Sequence, residues 1–284
     1  MKQTRRTFIK EGLAGAVLLG TNNLLRANDM PDSIKPKVTK AVNPFHLGMA
    51  GYSFTQFDIE TTLKTMEHLD IHYLSIKDFH LPLNSTDEQI KAFHEKCAAH
   101  HVTGYIVGPI YMRSEADVDK AFEYTKRVGV KKIIGVPNIE LLPYVDKKIK
   151  EYDFVMAIHL HGPTDKQYPD ATTAWNLIKD LDPRIGMCLD VGHEFRNGCD
   201  PVADLQKYHA RVFDMHIKDE TAPTKEGDCT VIGRGLIDYP SLVRMMRKVN
   251  YTGMCSLEYE TEKKDPFLGI AESIGYFKAL CDIV

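Results

Sequence analysis

The chain has 284 residues, of which 43% are hydrophobic and 26% are charged, and its formal net charge is −3. This length and apolar content suit one large core, and an acidic chain lacks the basic face expected of a nucleic-acid-binding protein. The six cysteines show no C-x-x-C pair and no spacing typical of a disulfide framework. Nucleic acid is therefore excluded as an expected partner.

The N-terminal segment has the features of an export signal. Residues 4–10 resemble the twin-arginine motif, with Arg5 and Arg6 as the arginine pair, and an apolar stretch follows that is too short to span a bilayer permanently. We expect a twin-arginine signal peptide at 1–27, read by the twin-arginine export machinery, and a periplasmic protein with no stable membrane anchor after processing. An ordinary amphipathic helix is the alternative. Residues 28–44 are then a linker, and the linker is followed by a barrel at 45–284.

Apolar strands alternate with amphipathic helices from residue 46 to residue 280. The predicted strands are 46–54, 73–77, 102–107, 132–136, 154–160, 185–191, 212–217 and 254–259. The predicted helices are 59–69, 87–100, 114–128, 142–152, 172–181, 202–211, 239–249 and 268–280. Such alternation favours a parallel sheet, and eight units in about 240 residues predict closure into a single-domain (β/α)8 TIM barrel.

Metal-binding side chains stand where four of these strands end. They are His159 and His161 on the fifth strand, Asp190 and His193 after the sixth, His216 and Lys218 on the seventh, and Glu258 and Glu260 on the eighth. The carboxyl ends of barrel strands meet at one mouth, and imidazole and carboxylate groups are the usual ligands of divalent metals. The pattern therefore predicts a metal site at the barrel mouth.

Several of these residues also have an ordinary structural interpretation. Asp190 could cap the following loop, and His216 could be a hydrogen-bonded core histidine. Lys77, at the end of the second strand, and Lys218 could contact a substrate carbonyl or hydroxyl, or be solvated strand ends. Glu260 could form a salt bridge in its loop.

Neighbouring ligand-type residues on one strand divide between the metal and the substrate. His159 and His161 share one face of their strand, and Glu258 and Glu260 share one face of theirs. We take His159 and Glu258 as metal ligands, and His161 and Glu260 as substrate-binding.

A glycine pair lies in the long loop between the seventh strand and its helix. The segment Gly233-x-Gly235 indicates a turn. As a phosphate-binding loop it would be weak, because the rest of a G-x-G-x-x-G fingerprint is missing.

The motifs C-L-D-V-G-H, D-M-H-I-K-D, G-R-G-L-I-D-Y-P and S-L-E-Y-E together resemble the sugar phosphate isomerase/epimerase superfamily, whose fold is the xylose isomerase-like TIM barrel. The resemblance spans residues 46–280. It implies one divalent metal ion, which could be manganese, zinc or cobalt, held by a Glu, an Asp, a His and a Glu on strands five to eight. Asp190, His216 and Glu258 match three of these positions, and His193 matches a substrate-contacting histidine. The strand-five position holds His159 instead of Glu.

This departure affects the expected reaction. Epimerases of the superfamily use two carboxylates, one on each face of the substrate carbon, and His159 replaces one of them. We expect a metal-dependent sugar isomerase or epimerase that abstracts an α-proton and forms a metal-stabilised enediolate, with Glu258, Lys218 and Lys77 as catalytic groups. The alternatives are a 3-keto-glycoside lyase or hydratase and a non-catalytic carbohydrate-binding barrel. The sequence leaves open whether the protein is a homo-oligomer.

Overall fold

The computed structural model describes residues 43–284, so the expected signal peptide and most of the expected linker lie outside the described residues. Eight parallel strands form the barrel: β1 His46–Ala50, β2 Tyr73–Ile76, β3 Thr103–Met112, β4 Lys132–Pro137, β5 Val155–His159, β6 Ile185–Asp190, β7 Val212–Ile217 and β10 Met254–Leu257. They close in the order β1-β10-β7-β6-β5-β4-β3-β2, and β8 and β9 form a separate pair. The predicted (β/α)8 TIM barrel is confirmed.

Amphipathic helices cover the outside of the barrel. In residues 43–284 they are α1 Ile59–His68, α2 Asp87–Ala99, α3 Glu115–Val128, α4 Leu142–Tyr152, α5 Ala171–Ile178, α6 Val191–Arg196, α7 Pro201–Tyr208, α8 Tyr239–Lys248 and α9 Phe267–Ile283. Side chains cap several N-termini: Thr86 and Gln89 form a capping box on α2, and the Ser114 hydroxyl accepts a hydrogen bond from the Asp117 amide on α3. No helix in this part of the chain is both long enough and apolar enough to cross a bilayer.

Strand β3 continues beyond its predicted end at residue 107. After Gly108 and Pro109 the strand resumes its pairing with β4 at Ile110, and it reaches Met112. Gly108 makes this possible because its φ is +125°, and a Cβ there would lie only 2.2 Å from the carbonyl oxygen of Ile134. The extension carries Tyr111 to the barrel mouth.

Three short elements lie in loops at the mouth. Helix α6 follows β6 directly, and the short antiparallel strands β8 Asp219–Glu220 and β9 Cys229–Thr230 fold the long loop after β7. The Asp219 carboxylate accepts hydrogen bonds from the amides of Glu220, Gly233, Gly235 and Ile237 at 2.9–3.1 Å. The Gly233-x-Gly235 segment is thus a turn around a carboxylate of its own chain, and its amides are not free to bind a phosphate.

The barrel interior changes from apolar to polar along its axis. Ile106, Ile134, Ala157 and Cys188 form a small apolar cluster inside the barrel. Side chains alternate along a strand, so residues two positions beyond Ala157 and Cys188 also point inward, one layer nearer the carboxyl ends. Those residues are His159 and Asp190, and the fold therefore places them at the base of the mouth.

Candidate metal centre at the barrel mouth

Four buried side chains converge at the carboxyl ends of the strands. His159, Asp190, His216 and Glu258 present ligand atoms that all lie within 4.8 Å of one another. His159 Nε2 is 3.1 Å from His216 Nδ1, and His216 Nδ1 is 3.3 Å from Glu258 Oε1. The Asp190 Oδ2 atom is 3.7 Å from His216 Nδ1 and 3.8 Å from His159 Nε2.

These separations fit one divalent metal ion. Four ligand atoms at 2.0–2.2 Å from a tetrahedral ion lie about 3.3–3.6 Å from each other, and the four measured distances bracket that range. Burial lowers the pKa of His159 well below its usual value, and His161 and His216 lower it further, so its imidazole is neutral and keeps a lone pair for a metal. The donor set of two imidazoles and two carboxylates suits zinc, cobalt or manganese.

Asp190 caps a helix and also faces the cluster, two arrangements that the sequence presented as alternatives. Its Oδ1 atom accepts a hydrogen bond of 2.9 Å from the His193 amide and caps helix α6, while Oδ2 faces the cluster. Oδ2 is buried and has no well-oriented hydrogen-bond donor. A buried carboxylate oxygen in this position is available to a cation.

Lys218 is the counter-ion of the site. Its ammonium group lies 3.0 Å from Asp190 Oδ2 and 2.5 Å from Glu258 Oε2, and it also pairs with Glu260. Burial alone would lower the pKa of Lys218, but these three carboxylates hold it well above its usual value. Burial alone would likewise raise the pKa of Glu258, yet Lys218 and His216 hold it well below its usual range. Lys218 is therefore a buried cation and not a solvated strand end.

A cavity of about 320 Å³ lies above the cluster. It is lined by Tyr52, Lys77, Pro109, Tyr111, His159, His161, His193, Glu258 and Glu260. This volume is at the small end of the range of small-molecule sites. Asp190, His216 and Lys218 do not line the cavity, so its wall contains only two of the four cluster residues.

The predicted catalytic lysines are in different places. Lys218 lies beneath the cavity, whereas Lys77 lines its wall, donates a hydrogen bond of 3.0 Å to the Pro109 carbonyl and pairs with Asp78 at 2.9 Å. Of the predicted substrate-binding residues, His161, His193 and Glu260 all border the cavity. The structure thus brings together every predicted site residue, while their catalytic and binding roles remain predictions.

A row of polar groups borders the cavity on the side of β3 and β5. The Tyr111 hydroxyl lies 3.0 Å from His161 Nε2, and His161 Nδ1 lies 3.2 Å from Asp165 Oδ2. The Tyr111 and His161 rings stack with their centroids 5.7 Å apart. Burial lowers the pKa of His161, so its ring is neutral near pH 7, and its tautomer sets whether Nε2 accepts a hydrogen bond from the Tyr111 hydroxyl or donates one to it.

The sequence reasoning missed the two tyrosines of the cavity. Tyr111 was missed because the third strand was expected to end at residue 107. Tyr52 was placed inside the first strand, but that strand ends at Ala50 and Tyr52 lies in a 3-10 turn at 51–54. The available signals were Tyr52 directly after Gly51 and Tyr111 two residues after Pro109.

One known protein resembles this chain over most of its length, and another resembles less than half of it. An inosose dehydratase of Clostridium botulinum is 22% identical over 273 residues, a match that covers 91% of this chain and 84% of the relative. The rhizopine catabolism protein MocC of Rhizobium meliloti is 27% identical over 131 residues, and that match covers 41% of this chain and only 40% of MocC.

Solved structures share the fold. A sugar phosphate isomerase/epimerase from Parabacteroides distasonis superposes with a TM-score of 0.65 at 18% identity, covering 86% of this chain and 97% of the other. The IolI protein with a bound zinc atom also gives 0.65, at 16% identity, covering 83% and 96%. The family model described as "Xylose isomerase-like TIM barrel" matches residues 70–280, and the chain therefore belongs to that family.

Proposed function

We propose that this protein is a metal-dependent enzyme that removes the proton next to the ketone of a small carbohydrate, with loss of a β-hydroxyl as the favoured outcome. The observation that carries the proposal is the position of Glu258. Among the described residues it is the one carboxylate that both belongs to the four-residue cluster and borders the cavity. The resemblance to an inosose dehydratase supports the same reaction class.

His159, Asp190, His216 and Glu258 would hold a divalent ion, for which manganese, zinc and cobalt are the candidates. A bound ion would supply positive charge that polarises the substrate ketone and acidifies its α-proton. The ligand-atom distances support this assignment. The zinc atom in the structurally similar IolI protein is further support.

Glu258 would accept the α-proton. Lys218 and His216 hold its pKa low, so Glu258 is ionised at neutral pH but is a weak base, and the polarised ketone has to supply the acidity of the α-proton. Oε2, which pairs with Lys218, would take the proton, because Oε1 faces the four-residue cluster. Tyr111, hydrogen-bonded to His161, would protonate the leaving hydroxyl, so that the C–O bond breaks and water departs as the C=C bond forms. His193, Glu260 and Lys77 would bind the remaining hydroxyl groups.

Epimerisation is the second candidate because the family is xylose isomerase-like. It requires proton transfer on both faces of one carbon, and in this chain the strand-five carboxylate is replaced by His159. A carboxylate on only one face of the substrate carbon therefore favours elimination over proton exchange on both faces. A carbohydrate-binding barrel without turnover is the third candidate.

Incubating the metal-loaded protein with small ketoses and cyclic keto-polyols in deuterated water separates the three candidates. A lyase forms an unsaturated ketone with a new ultraviolet absorption, an epimerase returns deuterated substrate with inverted configuration, and a binding protein leaves the substrate unlabelled. We expect the unsaturated ketone. Binding of the ketone without deuterium exchange or turnover would refute the proposal.

Substitution of Glu258 tests its role as the base. We expect Glu258→Gln to lower turnover by about a hundredfold or more, since loss of an acid/base group typically costs 10²–10⁴ in rate, while much of the metal is retained. Glu260→Gln is the matched comparison, because Glu260 borders the same cavity and pairs with Lys218 but lies outside the four-residue cluster. As a substrate-binding variant it should raise KM, whereas Glu258→Gln should lower kcat. Parental α-proton exchange by metal-loaded Glu258→Gln would exclude Glu258 as the base.

A further inference from the structure

A second group of ligand-type side chains lies away from the cavity. Glu194 on α6, Cys199 in the turn after α6 and Asp204 on α7 present ligand atoms that lie within 4.8 Å of one another. None of the three borders the cavity at the barrel mouth. The group therefore needs a separate physical account.

Glu194 is fully buried, and only half of its carboxylate is hydrogen-bonded. Its Oε1 atom accepts a hydrogen bond of 2.8 Å from the Ala171 amide, whereas Oε2 has no donor and faces the Asp204 carboxylate. Among residues 43–284, no lysine or arginine forms a salt bridge with either carboxylate. Two facing carboxylates without a donor repel each other unless a proton or a cation lies between them.

Asp170 adds negative charge beside the two facing carboxylates, and Cys199 adds a soft sulfur ligand. Asp170 is occupied by other partners, since its Oδ1 accepts the Thr173 amide at 2.7 Å and its Oδ2 accepts the Asn197 side-chain amide at 3.1 Å. Cys199 is a free, half-buried thiol beside the two facing carboxylates. A thiol with two carboxylates leaves one position open for water in a tetrahedral ion.

We propose that Glu194, Cys199 and Asp204 form a second binding site for a divalent transition-metal ion such as zinc or cobalt. The ion would join α6 to α7 at the corner that carries His193, the residue before Glu194. In this position its role is structural, and the site does not depend on the reaction proposed above.

Cobalt(II) tests the site because a thiolate ligand gives intense charge-transfer absorption that imidazole and carboxylate ligands do not give. We would titrate cobalt into the full chain and into Asp190→Asn, in which the barrel-mouth cluster has lost an anionic ligand. We expect the parent to bind two equivalents of cobalt. We expect Asp190→Asn to bind one equivalent tightly and to show the thiolate charge-transfer band. Cys199→Ser is expected to lose the band and one equivalent.

Cys188→Ser is the matched control, because Cys188 lies within 4.8 Å of His159 and His216 and could itself bind cobalt. The proposal predicts that this variant keeps the thiolate band. Absence of the band in the folded parent, or its loss in Cys188→Ser with retention in Cys199→Ser, would overturn the proposal. Neither result would bear on catalysis, because turnover of the keto-sugar is measured separately.

Discussion

Single side chains in this site contact two sets of partners at once. The two carboxylate oxygens of Asp190 face different partners, a helix amide and the four-residue cluster. From the sequence alone, a cap and a ligand were competing interpretations, because one side chain was assumed to have one role. The alternation of side chains did place His159 and His161 correctly on one face, with ring centroids 4.4 Å apart.

Removing Lys218 should make the stability of the protein depend on metal. In Lys218→Met the carboxylates of Asp190 and Glu258 lose their buried counter-ion, and breaking a buried ion pair typically costs about 3–5 kcal/mol. We expect the free energy of unfolding in EDTA to fall by about that amount, and zinc or manganese to restore part of it.

Urea unfolding with and without metal measures this effect. Lys91→Met is the control, because Lys91 forms an exposed i,i+4 pair with Glu95 that is worth about 0.3–0.5 kcal/mol. If Lys218→Met in EDTA were as stable as the parent, Lys218 would not be the counter-ion of the site.

At the scale of elements, the long loop after β7 is organised by one carboxylate. Asp219 accepts four backbone amides, and an asparagine at that position would present a donor where those amides need an acceptor. We expect Asp219→Asn to lower the free energy of unfolding by at least about 2 kcal/mol. Asp228→Asn is the control in the same loop, because the Asp228 side chain is exposed. If urea unfolding showed the same loss of unfolding free energy for both variants, this account would be contradicted.

The corner between α6 and α7 should make stability depend on pH. Burial, and then Asp204, raise the pKa of Glu194 to about 10 in the folded protein, compared with an ordinary value of 4.5. Its stabilising contribution is complete below pH 4.5 and is lost as the pH rises toward 10, because the unfolded state releases the proton first.

Glu194→Gln cannot lose this proton. In EDTA we expect it to gain stability relative to the parent between pH 5 and pH 8, at a slope of about 1 kcal/mol per pH unit. Glu95→Gln, which replaces an exposed carboxylate, is expected to show almost no slope. If the difference in free energy of unfolding between Glu194→Gln and the parent did not change with pH, Glu194 would be ionised in the folded state.

Most elements of the fold could be predicted because apolar periodicity reports burial directly. The bounds of β7 and α4 agree with the prediction, and most other bounds differ by one to three residues. The larger differences concern β1, which ends at Ala50 and not at residue 54, β3, which passes through a glycine at positive φ, and the short elements α6, β8 and β9 at the mouth. These are held by long-range contacts, such as those of Asp219, that leave no local pattern in the sequence.

At the scale of the whole molecule, the family match establishes the TIM-barrel fold, whereas the subcellular location of the protein is a proposal. We propose export by the twin-arginine route, for which the motive is the Arg5-Arg6 pair in residues 1–27. Replacing both arginines with lysine should leave unprocessed precursor in the cytoplasm, as measured by fractionation and immunoblotting. Normal export and processing of the lysine variant would rule out this route.

The closure of the barrel has a consequence for how the chain is made. Strand β1 pairs with β10, so His46 to Met49 meet their partners Met254 to Leu257 only after residues 50–253 have been synthesised. Until then β1 has an open edge, and contacts of such high sequence separation form slowly. Closure is therefore a late event in folding, and a truncation that removes β10 would leave two unpaired strand edges prone to aggregation.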